Sequence, residues 1–180
     1  VSSHRFTVRV YYEDTDAGGV VYHASYLRFA ERARTEALRD AGAPHDALHG
    51  THGLIFVVRH LEMDYLRPAR LDSLLDIETT PVALGGASVT LRQRFCELER
   101  CLEFGEIGGK PDQTQATPIG TLTVRLVCIQ QETLRPARIP DRWRHVLRPG
   151  EHGSEPARDG QTGDTSSPNV VGGASLPERG

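Results

Sequence analysis

The spacing of hydrophobic and polar residues changes several times along this chain. Between residues 5 and 12, Phe6, Val8, Val10 and Tyr12 alternate with Arg5, Thr7, Arg9 and Tyr11. A period of two marks a strand with one buried face, which places Tyr12 among the core positions. A carboxylate- and glycine-rich loop, Glu13–Gly19, follows. The period then lengthens. Tyr26, Phe29, Ala30, Ala33, Ala37 and Ala41 form an apolar stripe at helical spacing, with Arg28, Arg32, Glu36 and Arg39 largely outside it. This predicts a helix beginning within Val20–His23, running to Asp40, and stopped by Gly42 with Pro44 beyond.

Strand patterns occupy the rest. Leu54–Leu66 ends at Pro68, Leu74–Leu84 ends at Gly85 and Gly86, and Ala87–Leu102 follows directly. Ile119–Gln130 carries Leu122, Val124, Leu126 and Cys128 on one face. Gly105–Pro118 reads as an exposed loop, and Arg142–Leu147 as a last helical turn. Consecutive strands with short turns pair antiparallel. The expected fold class is α+β, with one long helix on an antiparallel sheet of about five strands, over residues 4–147. Residues 148–180 hold 7 Gly and 4 Pro and no aromatic residue. Such a segment buries too little surface to offset its ordering entropy, so a disordered tail is expected.

Composition narrows the function. A chain of 180 residues suits one domain. A formal net charge of −3 gives no footprint for nucleic acid or an anionic membrane. No apolar run is long enough to span a bilayer, and the start VSSHRFTVRV lacks a signal-peptide pattern. Cys96, Cys101 and Cys128 are odd in number and form no CxxC pair, which argues against a disulfide scaffold or a cysteine zinc site. A reducing cytoplasm is the expected location.

The densest chemistry lies in residues 11–23, YYEDTDAGGVVYH, between a strand end and a helix start. The glycines allow a tight turn and close approach to the backbone. The amides opening the helix lack internal partners, and the helix dipole makes that end positive, so a carbonyl oxygen gaining charge would be stabilised there. A carboxylate just upstream can act as base or nucleophile on the same carbonyl. Three other readings stand beside this one. Asp before a helix is commonly an N-cap, His23 alone reads as a surface or capping residue, and Tyr12 reads as a core tyrosine. Asp14 and Asp16 after a strand also suit a magnesium-dependent phosphotransferase loop, but the later chain lacks alternating strands and helices, and Lys110 is the only lysine. His45, His49 and His52 have the spacing of one helix face around a metal, but Gly50 and Gly53 interrupt that helix, so exposed connector histidines and no metal are expected.

The segment YEDTDAGGVVYHASYL over residues 12–27, with Glu31 and Arg34 after it, closely resembles the YbgC-type acyl-CoA thioesterases. These are Tol-Pal-associated members of the 4-hydroxybenzoyl-CoA thioesterase branch of the hotdog superfamily. Residues 63–79 also look like that family, and the likeness spans about residues 5–104 and 119–140. The resemblance implies a hotdog fold, the long helix wrapped by the sheet, and an acyl-CoA substrate hydrolysed to a carboxylic acid and CoA without a cofactor. It implies a homodimer or homotetramer with sites at the subunit interface; acyl carrier protein in place of free coenzyme A stays open as a second carrier. The essential carboxylate falls on Asp16, the tyrosine of the preceding strand on Tyr12, and the helix-start histidine on His23. Gly19 is the tight-turn glycine, and Val20 and Tyr22 flank the substrate. Gly105–Pro118 stands as an insertion where the family has a short turn. Arg59, Arg67, Arg70 and Arg92 are candidates for the coenzyme's phosphates, with ordinary surface charge the other reading of each. The competing class is a non-catalytic acyl-binding or envelope-associated interaction protein on the same scaffold.

Overall fold

The computed structural model describes residues 3–98 and 116–150. Five strands form one antiparallel sheet: β1 His4–Arg9, β2 Leu54–Tyr65, β3 Leu74–Leu84, β4 Ser88–Leu98 and β5 Ala116–Gln130, in the order β1-β3-β4-β5-β2. One long helix, α1 His23–Asp40, lies on it, and two short helices, α2 His45–His52 and α3 Asp141–Val146, complete the described fold. The α+β reading and the hotdog arrangement of one helix wrapped by an antiparallel sheet both hold.

Alternation along the strands sorts the sheet into two faces. In β4, Val89, Leu91, Gln93 and Phe95 are buried, while Arg92 and Arg94 stand in the outward-facing row. Leu75, Ile77, Leu122 and Val124 continue the inner row and join Tyr26, Phe29, Ala30, Ala33 and Leu38 of α1 in one core. Small residues at 30 and 33 let the helix axis lie close to the sheet. Gly42, at φ 70°, ends the helix: its N–H bonds the Arg39 carbonyl and the Ala43 N–H bonds that of Leu38.

Four expectations need correction. The first strand does not run through Tyr12. It ends at Arg9, and Tyr12–Asp14 is a single 3-10 turn, because the Asp14 carboxylate accepts the Tyr11 N–H at 3.0 Å and bends the chain off the ladder. Tyr12 is therefore 82% exposed rather than in the core. The connector after α1 is helical: Gly50 lies inside α2 and only Gly53, at φ 61°, ends it. Its histidines diverge, His45 packing edge-on to Phe56 and His52 to Trp143. His45 is half-buried rather than an exposed connector residue. The loop expected over Gly105–Pro118 stops sooner, since Ala116–Pro118 belongs to β5. Proline lacks the ladder N–H, and the β4–β5 register shifts opposite it between Phe95 and Cys96. Lastly, Ala37 and Ala41 are only partly covered, and the buried helix positions are instead Arg34 and Leu38. The rest of the expected insertion, 105–115, the end of the third strand pattern and the tail from 151 lie outside the described residues.

Candidate active site

The site begins with a turn. The Asp16 carbonyl accepts the Gly19 N–H at 3.0 Å, its N–H donates to the Val20 carbonyl at 2.9 Å, and its Oδ1 accepts the Gly18 N–H at 2.8 Å. These bonds fix the side chain's root and one carboxylate oxygen. Oδ2 has no partner among the described residues, and Asp16 is exposed. Gly19 sits at φ 71°, a left-handed conformation strained for residues with a Cβ. Thr15 pairs with Val21 across the turn, Val20 pairs with Arg70, and the Val21 N–H donates to the Ala69 carbonyl at 2.9 Å. The turn is thereby docked on the segment that follows β2.

The helix start comes next. Tyr22 is the N-cap of α1 and makes no side-chain cap. The Tyr22 N–H is taken by the Asp14 carbonyl at 2.8 Å and the Ser25 N–H by the Tyr22 carbonyl. The N–H groups of His23 and Ala24 have no acceptor among the described residues. They are free donors at the positive end of the helix dipole. The capping reading thus belongs neither to Asp16 nor to α1. It belongs to Asp14, which caps the 3-10 turn with its carboxylate. Asp14 is 2% exposed, and its carbonyl also accepts the Ser25 hydroxyl at 3.0 Å, with the Arg28 Nη2 3.5 Å from Oδ1.

Beside the helix start lies an open groove of about 250 Å³, lined by His23, Tyr26, Tyr65, Leu66, Arg67 and Pro68 together with Val21. The Tyr65 hydroxyl donates to the His23 carbonyl at 3.0 Å and forms one wall. The buried Tyr26 ring meets Phe29, Tyr65 and Phe95 edge-on, at centroid distances of 5.5–6.3 Å. Arg67 and Pro68 also line an adjoining groove of about 630 Å³ that contains Arg70, Asp72 and Glu97. A third, better enclosed cavity of about 70 Å³ lies under the C-terminal half of α1, lined by Arg34, His45 and Leu126 among others. It shares no lining residue with the helix-start groove.

Asp16, Gly19 and Val20 therefore share one turn, and Tyr22 and His23 stand at the helix start, their rings 4.3 Å apart. The Tyr12 carbonyl receives the Thr15 N–H and hydroxyl, but the Tyr12 side chain makes no hydrogen bond to Asp16. Of the arginines considered for phosphates, Arg67 and Arg70 flank the grooves, Arg59 lies on the edge strand β2, and Arg92 faces outward. Sequence reasoning missed Asp14 as the latch and Tyr26 and Tyr65 as groove walls. The available signal for Asp14 was its place three residues after Tyr11, the spacing of a capping contact. A carboxylate oxygen left free on the turn that leads into a helix start with unpaired amides has the chemistry to attack a carbonyl, or to activate water toward it, with the amides as donors to its oxygen.

The model of the thioesterase superfamily matches residues 18–100. The acyl-CoA thioester hydrolase YbgC of Escherichia coli O6:H1 is 40% identical over 136 residues, 76% of this chain and 89% of that protein. The acyl-CoA thioesterase YbgC of Haemophilus influenzae is 39% identical over 135 residues, 75% of this chain and 87% of its own. The crystal structure of a probable thioesterase from Bartonella henselae superposes with a TM-score of 0.63 at 37% identity, covering 77% of this chain and 100% of that one. Homology of this extent, on a hotdog fold with a carboxylate turn feeding a helix start, makes the chain a member of the YbgC acyl-CoA thioesterases of the thioesterase superfamily.

Proposed function

We propose that this enzyme cleaves acyl-CoA through the Asp16 carboxylate, with the N–H groups opening α1 holding the thioester carbonyl oxygen. The observation that carries the reading is a free Asp16 oxygen, on a turn fixed by two backbone bonds and one to the other carboxylate oxygen, followed by uncapped amides at His23 and Ala24. The carboxylate either attacks the thioester carbon, giving a mixed anhydride that water opens, or takes a proton from the attacking water. In both routes the carbon–sulfur electron pair leaves with CoA as thiolate, which is protonated in solution. A thiolate leaves readily, so no strong general acid is required. His23 borders the groove and positions the thioester, with Gly19, Val20 and Tyr22 shaping the approach. Tyr12, exposed in the single chain, acts at the rim of the same site where a second chain covers it. Arg67 and Arg70 offer bidentate donors for the coenzyme's phosphates.

The unit of function is a homodimer. β2 presents twelve residues with no strand on its outer side among the described residues, and Val58, Tyr65 and Leu66 are exposed there. An unpaired strand edge of this length favours pairing with a second copy. No helix among the described residues is long and apolar enough to cross a membrane, and the location proposed is the cytoplasm. The deciding experiment is thiol release from acyl-CoAs by wild type and Asp16→Asn, with loss of turnover expected in the variant.

A further inference from the structure

Tyr26 is the fourth residue of α1. Side chains on a helix lean toward its N-terminus, so the Tyr26 ring covers the turn that holds the free amides. The residue is 2% exposed, and its hydroxyl accepts the Ala69 N–H at 3.0 Å. The Ala69 carbonyl in turn takes the Val21 N–H, so one residue ties the phenol to the segment entering the helix. The hydroxyl's acceptor capacity is therefore engaged, while its own proton meets no acceptor among the described residues. A buried donor left unpaired is destabilising, and an occupant of the groove that accepts it removes that cost. Tyr26 lines the groove beside His23. Burial pushes the phenol above its ordinary range, which keeps the hydroxyl protonated and donating at neutral pH.

We propose that Tyr26 is a further catalytic residue, whose hydroxyl donates a hydrogen bond to the thioester carbonyl oxygen of a substrate seated in the groove, beside the amides that open α1. The inference rests on the reading of Asp16 and the helix start given above. The hydroxyl keeps its proton throughout. It stabilises charge on the oxygen as the nucleophile adds, and relaxes when the carbon–sulfur bond breaks.

The test uses the full chain and acyl-CoA thiol release. Loss of one such donor lowers turnover by roughly 10²-fold. Tyr26→Phe is expected to lower kcat by about that factor with KM changed less than about threefold, measured well below the variant's melting temperature. Ala69 also loses its acceptor in this variant, so stability falls as well. A second variant separates the two roles: difluorotyrosine at position 26 keeps the shape and the acceptor but has a more acidic hydroxyl. The alkaline limb of its kcat profile is expected to move toward neutral pH. A kcat for Tyr26→Phe within about threefold of wild type, or an alkaline limb that does not move, would reduce Tyr26 to an anchor for Ala69. Asp16→Asn, assayed in parallel, keeps the outcomes apart. Full activity there overturns the underlying reading, whereas an inactive Asp16→Asn with a fully active Tyr26→Phe overturns only the role of Tyr26.

Discussion

Replacing Gln93 by leucine would remove the buried acceptor of a buried cation. Arg34 is 5% exposed, and its Nη1 donates to the Gln93 Oε1 at 2.7 Å. Gln93 is fully buried, and its Nε2 donates to the Ala30 carbonyl at 2.9 Å and to the Thr79 hydroxyl at 3.0 Å. The network pins the middle of α1 to β3 and β4. A hydrogen bond to a charged group contributes about 1.5–3 kcal/mol and each neutral one about 1 kcal/mol. Leucine recovers about 1–2 kcal/mol by apolar burial. The net expectation for Gln93→Leu is a loss of about 3 kcal/mol, or roughly 6–12 °C in Tm for a chain of this size. Arg34→Met strands the glutamine oxygen at similar cost. Its other partner, Glu31, has a side chain 57% exposed and can return to water. The double variant leaves no partner of this pair unpaired, so its loss is expected to fall short of the summed single losses by about 1.5–2 kcal/mol. Urea unfolding of the four proteins measures the cycle. Losses that add within about 0.5 kcal/mol, or a Gln93→Leu protein as stable as wild type, would refute the reasoning.

Two further outcomes follow from the same structure. Burial holds the His45 imidazole below its ordinary pKa, so the unfolded chain takes up a proton there before the folded one does. Stability attributable to His45 is unaffected above about pH 6.5 and falls as the pH drops through the ordinary imidazole range. His45→Leu is expected to flatten that acid decline in thermal melts, and parallel curves for the two proteins would place the decline elsewhere. Light scattering on the full chain is expected to give at least twice the single-chain mass, because β2 has no strand on its outer side among the described residues; a single-chain mass at tens of micromolar would contradict edge pairing.

Much of the fold was legible because alternation and helical spacing survive in one sequence. The strand over Leu74–Leu84 and the end of α1 at Asp40 fall where the patterns put them. What periodicity could not show was local competition between side chain and backbone. Tyr12 alternates in step with Val8 and Val10, yet the Asp14 carboxylate captures the Tyr11 amide and turns the chain away. Arg34 lies outside an alanine stripe by composition, yet a buried glutamine 59 positions later supplies the acceptor that lets it go inside. At the site, the turn glycine and the helix start could be read from DTDAGGVVYH, because tight turns and helix entries leave short-range signatures. The walls from Tyr65 to Pro68 could not, since they come from the far end of an edge strand.

The measurement that bears most directly on this account is steady-state thiol release by wild type and Asp16→Asn over acyl-CoAs from acetyl to palmitoyl, plus benzoyl, with circular dichroism confirming equal folding. Asp16 is exposed and its Oδ1 makes one hydrogen bond, to Gly18, which the asparagine oxygen can keep, so the fold is expected to be undisturbed. The account predicts a fall in kcat of roughly 10²–10⁴-fold on every substrate the wild type hydrolyses. Undiminished hydrolysis by the folded variant would contradict it.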